Sequence, residues 1–154
     1  MIKEPYFWDS QIDYLYKSAS LYYNDDYIKF LVDTVWQLDN PVHIIDFGCG
    51  FGHMGLRLLP LLAEGSKYTG IDAGAKLIER ARELFKELPY EVEFIIGDFD
   101  SVSLEKMYDI AVCHGVLLHL AEPTLLLKKM ANCVKGDGKS PTHTCDCWSL
   151  NCYF

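Results

Sequence analysis

Four polar residues stand where four apolar runs end. Asp46 closes residues 42–45, and Asp72 closes 67–71. Asp98 follows 91–96 by way of Gly97, and His114 follows 108–113. Just after the first run come glycines at every second position, Gly48, Gly50 and Gly52, with Cys49 and Phe51 between them. Glycines let the backbone turn sharply and let a ligand lie against it with no Cβ in the way. A helix starting at His53 would add unpaired N–H groups and a positive dipole end. Asp72, with Ala73 beside it, lies about twenty residues beyond the glycines, the spacing of an acid that bonds ribose hydroxyls. Together these residues point to a site for a nucleoside-type ligand.

The glycines can be read in two registers. Gly50-x-Gly52-x-x-Gly55 fits a dinucleotide loop, and on that register alone the chain would be a nicotinamide oxidoreductase. Gly48-x-Gly50-x-Gly52, with Asp46 just ahead of it, fits a different loop. A carboxylate at that point would repel a pyrophosphate and suits a ligand with a cationic head.

The elements that must position these residues follow from the pattern. Residues 42–47, 67–72, 91–96 and 108–113 read as strands, and 53–63, 75–88 and 123–134 as helices. Strands alternating with helices predict an α/β fold with a doubly wound, mainly parallel sheet. In such a sheet ligands bind at the carboxyl ends of the strands, where the strand order switches, so all four polar ends would face one crevice. Ahead of this core, the aromatic-rich stretch 6–23 carries a short helix over 10–21, and a second helix runs over 27–38 behind a cap at Asn24-Asp25-Asp26. The chain thus divides into an N-terminal helical lid (1–40), a binding core (41–138) and an atypical tail (139–154). The tail is polar and carries Pro141, so only a weak edge strand over 142–148 fits it.

The net charge of −8 argues against nucleic-acid or anionic-membrane partners. No signal-peptide pattern or membrane-length apolar run is visible, so the expected location is cytoplasmic. Cys145, Cys147 and Cys152 crowd the tail with His143, but their spacing matches no familiar zinc knuckle, and no metal site is expected.

From residue 42 to 138 the sequence resembles the class I S-adenosylmethionine-dependent methyltransferases of the small-molecule branch. The resemblance rests on four features in order: the Asp46-x-Gly48-x-Gly50-x-Gly52 loop, Asp72, Asp98-Phe99, and the segment Val116-Leu117-Leu118-His119-Leu120 after His114. It implies a Rossmann-like fold, S-adenosylmethionine as cofactor and a small-molecule acceptor. Asp46, Gly48, Cys49, Gly50 and Gly52 would surround the methionine part. Asp72 and Ala73 would take the ribose, Asp98 and Phe99 the adenine, and His114 would line the path to the methyl group. His114 and His119 are the nearby candidates for a base, and neither is assigned a catalytic role. Other roles stay open: Asp72 could cap the helix after it, Asp98 could hold an Asx turn, and His119 and Asp109 read as structural. The family continues with further strands after the turn at 135–138. The C-terminal strands are therefore expected to be incomplete and the chain truncated. An uncovered sheet side would then favour a homo-oligomer. A truncated, non-catalytic cofactor-binding domain is the alternative.

Overall fold

A computed structural model describes residues 7–22, 24–135 and 145–148. Tyr6, Tyr23, the turn at 136–138 and the tail residues His143 and Cys152 lie outside them.

Strands β1 (His43–Phe47), β2 (Lys67–Asp72), β3 (Glu91–Ile96) and β4 (Ile110–His114) alternate with helices α3 (His53–Leu58), α4 (Ala75–Phe85) and α5 (Pro123–Cys133). Among the described residues a fifth strand, β5 (Cys145–Trp148), lies parallel along β4, with Ala111 opposite Cys145. It falls within the weak edge strand expected at 142–148, whose first three residues lie outside the described ones. The order is β3-β2-β1-β4-β5, every pairing parallel. The order reverses between β1 and β4, which opens the crevice at their carboxyl ends.

Both faces of the sheet are covered, so the central strands are buried and mostly apolar. In β1, Ile44 faces a cluster that includes Tyr68, Ile78 and Phe85, while Ile45 and Phe47 face Leu126 and Met130 of α5. Helix α4 buries Leu77, Ile78, Ala81 and Phe85 and leaves Lys76, Glu79, Arg80 and Glu83 in water.

Several boundaries differ from the sequence reading for identifiable reasons. The helix expected over 53–63 tightens to a 3₁₀ turn, Leu59–Leu61, because Pro60 has no N–H to continue the α-helical ladder. The helix expected over 27–38 starts at α2 (Asp25–Phe30), with the Asn24 side chain accepting from the Asp26 and Tyr27 amides. It then widens to a π-helical turn, Leu31–Val35, closed by Trp36 N donating to Leu31 O at 2.7 Å. The wider turn brings Leu31, Val32 and Trp36 into the core together. The fourth strand begins at Ile110, not Tyr108, because Asp109 turns its carboxylate to the chain. One oxygen accepts from His43 N at 2.7 Å and the other from Lys135 Nζ at 2.8 Å. Asp109 is thus the structural acid its position suggested.

The N-terminal segment runs through a 3₁₀ turn, Phe7–Ser10, into α1 (Ile12–Tyr22). Asp9 Oδ1 accepts from Lys76 N at 3.0 Å and Leu77 N at 3.4 Å, so a residue far away in sequence caps α4. Asp9→Ala is expected to lower stability by about 1 kcal/mol, the usual worth of a helix cap, as read from urea midpoints.

Candidate cofactor-binding site

A cavity of about 560 Å³ sits at the carboxyl ends of β1, β2 and β4. Its floor is the glycine loop, and its roof is the N-terminal segment, through Trp8, Leu15 and Ala19. The size lies within the roughly 300–1,000 Å³ typical of small-molecule sites.

The loop is built onto the end of β2. Gly48 N and Cys49 N donate to Ile71 O at 2.8 and 3.0 Å, and Gly50 N donates to Asp72 Oδ2 at 2.9 Å. The other oxygen of Asp72 accepts from Gly74 N at 2.8 Å. Asp72 is 6% exposed. Burial raises its pKa from the ordinary 3.8, and the amide donors oppose that rise. Gly48, Gly50 and Gly52 all have positive φ, of 75°, 55° and 80°. Only at Gly50 would an added Cβ meet nothing within 4 Å. At Gly48 it would strike Val116 at 2.3 Å, and at Gly52 the Phe85 ring at 2.7 Å. The first and third glycines therefore serve packing, and the middle one leaves an open cradle.

Of the residues singled out in the sequence, Gly48, Cys49, Gly50, Asp72, Phe99 and His114 line the cavity. Asp46, Gly52, Ala73 and Asp98 stand outside its wall. Asp46 shares a face with Ile44 and points beneath the loop, where Tyr68 OH donates to it at 2.5 Å. Asp98 is exposed, and its carbonyl accepts from Ser101 N and Val102 N. The segment carrying Phe99 is held by Lys129 of α5, whose Nζ donates to the Phe99 and Val102 carbonyls. His119 lines the cavity and packs against Trp8, ring centroids 4.8 Å apart.

Wall residues outside the sequence reading of the site include Trp8, Leu15, Ala19, His53 and Leu77. The density of aromatics in residues 6–23 was the available signal for the first. Arg57 Nε donates to His53 Nε2 at 2.9 Å, and Arg57 is itself paired with Asp25 of α2. Burial and the Arg57 charge push the His53 pKa down to about 4, and burial lowers that of His114. Both imidazoles are neutral at pH 7, so neither opposes a cationic ligand.

Asp46 gives a pH signature. Burial raises its pKa to about 7, against an ordinary 3.8. The folded state therefore holds this proton more tightly than the unfolded chain. Its contribution to stability is full below about pH 4 and is lost as pH rises to about 7. Asp46→Asn keeps an acceptor for Tyr68 without the ionisation. Its stability relative to the parent is expected to rise between pH 5 and pH 8. Parallel urea midpoints across that range would show that Asp46 does not titrate there.

The profile of a family described as a methyltransferase domain matches residues 38–150. The chain belongs to this methyltransferase-domain family. Among curated relatives it is 26% identical over 128 residues to a ubiquinone biosynthesis O-methyltransferase of Rickettsia felis, covering 83% of this chain and 46% of that one. It is 28% identical over 98 residues to the enzyme of the same name from Coxiella burnetii, covering 63% and 41%. The chain thus spans less than half the length of these relatives. Among solved structures, the plantazolicin methyltransferase BpumL, in complex with a pentazolic desmethylPZN analog and SAH, superposes with a TM-score of 0.64 at 26% identity, over 82% of this chain and 49% of that one. The [4+2]-cyclase SpnF superposes at 0.65 with 22% identity, over 83% and 54%. A cyclase on this fold shows that the fold alone does not fix the chemistry. Among the described residues no helix is long and apolar enough to cross a membrane.

Proposed function

We propose that this chain binds S-adenosylmethionine and belongs to an enzyme that transfers its methyl group to a small-molecule acceptor. The observation that carries the reading is the buried Asp72 carboxylate beside the open cradle at Gly50, both on one cavity wall. The residues suit the group. A carboxylate faces a ligand with a diol and a positive charge, the glycine backbone offers close approach, and no lysine or arginine lines the described wall.

When bound, S-adenosylmethionine supplies a methyl group already activated by its sulfonium. The chain's own task is to align and enclose. Asp72 and Ala73 hold the ribose edge, Phe99 flanks the adenine with Asp98 at its rim, and Gly48 to Gly50 support the methionine part. Gly52 and Asp46 act from beneath by shaping the loop. His114 lines the path to the acceptor, and the apolar roof keeps water out. The acceptor atom to test first is oxygen, after the names of the curated relatives.

Within the expected lid of 1–40, described residues between 7 and 19 roof this site, whereas Ile28, Leu31, Val32 and Trp36 pack into the core. The buried thiols of Cys49, Cys113 and Cys133 suit a reducing, cytoplasmic setting. A second copy pairing along the outer edge of the sheet at β3 completes the reading, and a monomer in sedimentation would remove that part.

The test is transfer of a labelled methyl group to a panel of phenols. Transfer that disappears in Asp72→Ala supports the reading. Cofactor binding with no transfer to any acceptor would favour a non-catalytic binding domain. Trp8 supplies a second check. Because it lines the cavity, S-adenosylhomocysteine is expected to change tryptophan emission in the parent but much less in Trp8→Phe. An equal change in both would mean the ligand binds away from the lid.

A further inference from the structure

Among the described residues, the crossover from β3 to β4 (97–109) contains no helix. Its backbone therefore lacks a helical hydrogen-bond ladder, and its carbonyls need donors from elsewhere. One turn closes locally: Ser101 N and Val102 N donate to Asp98 O at 3.1 and 3.0 Å. The carbonyls of Phe99 and Val102 are met by a single ammonium. Lys129 Nζ, from the middle of α5, donates to both, to Val102 O at 2.5 Å. Lys129 is half-buried and stands outside the cavity wall, whereas Phe99 is the residue of this crossover that lines it. The Phe99 ring packs edge-on against Phe47, centroids 6.1 Å apart, and Val102 and Leu104 pack into the same cluster. Such apolar contact is non-directional and does not by itself fix where the ring sits along the wall. The two bonds to Lys129 do.

We propose that Lys129 is a positioning residue for the cofactor: from outside the cavity it fixes the backbone that presents the Phe99 ring to the bound nucleoside. This rests on the S-adenosylmethionine reading above. The ammonium does not touch the ligand in this role and acts through Phe99. Without it the crossover samples several positions, and binding must first select the one that places the ring. The apparent affinity then falls by the fraction of chains that hold that position. Folding is insulated, because Leu126, Met130 and Cys133 make up the buried face of α5.

The test is a double-mutant cycle on the binding of S-adenosylhomocysteine, read by calorimetry. It uses the parent, Lys129→Met, Phe99→Ala and the double variant, with a thermal melt on each sample to establish folding. Lys129→Met keeps the length of the stem and removes the donor. In the parent background it is expected to weaken binding by about 10-fold, the effect of holding the ring in place in roughly one chain in ten. In the Phe99→Ala background the same change is expected to move the affinity by less than about twofold. Lys129→Arg, which keeps a cationic donor, is expected to stay within about threefold of the parent. Equal losses from Lys129→Met in the two backgrounds would mean that Lys129 acts by a route other than Phe99, and would overturn the proposal. So would an unchanged affinity in the parent background, which would leave Lys129 as a structural tie. If S-adenosylhomocysteine does not bind the folded parent, the cofactor reading fails first and this inference falls with it.

Discussion

Asp72→Ala is expected to weaken binding of S-adenosylhomocysteine by at least about 100-fold while the chain still folds. The carboxylate does two jobs from one position. Its oxygens accept from Gly50 N and Gly74 N, which pins the loop onto the end of β2. On the proposed reading, their remaining lone pairs face the ribose. Hydrogen bonds to a charged group are worth about 1.5–3 kcal/mol each, so losing one at the loop and one at the ligand, about 3 kcal/mol or more, exceeds a hundredfold effect. Asp72→Asn is the sharper variant. It keeps one acceptor but loses the charge, and an intermediate loss is expected. Folding is insulated because Gly48 N and Cys49 N remain bonded to Ile71 O. Calorimetry and a thermal melt on the same samples check both halves. Unchanged affinity in Asp72→Ala would leave Asp72 as loop scaffold only.

The second large effect separates two glycines of one loop. Gly48→Ala is expected to cost about 2–5 kcal/mol of stability, the sum of a left-handed backbone penalty and an overpacking term. Its new Cβ would lie 2.3 Å from a Val116 methyl, and Val116 is packed with the cluster beneath α5. Gly50→Ala has the same backbone penalty, about 1–2 kcal/mol, and no collision. Its methyl enters the open cradle instead. The expected outcome is a crossed pattern: Gly48→Ala fails mainly in urea, Gly50→Ala mainly in ligand titration. Equal stability losses would mean that Val116 yields freely and that backbone conformation dominates at both positions.

Much of the fold was legible because the relevant signals are local. Strands 67–72 and 91–96 appear with the boundaries their apolar runs suggested, and the helix expected from residue 75 starts there and buries one face. The boundaries that moved were set by single groups: the missing N–H of Pro60, the side-chain bonds of Asp109 and the π-helical turn that buries Trp36. Within the site, residue types at strand ends located the loop and Asp72. Asp46 was placed by sequence position at the ligand, whereas strand parity puts it on the Ile44 face, under the loop and against Tyr68. Trp8 reaches the site, and Asp9 the first turn of α4, through a long-range fold-over that no local pattern encodes. The His53–Arg57 contact needed knowledge of which way a short helix faces.

The most direct measurement is a calorimetric titration of the parent chain with S-adenosylhomocysteine, run beside the same titration with NAD. Saturable one-to-one binding of S-adenosylhomocysteine and no heat from the dinucleotide is the expected result. A chain that melts cooperatively yet binds only the dinucleotide, or neither ligand, would contradict the cofactor assignment.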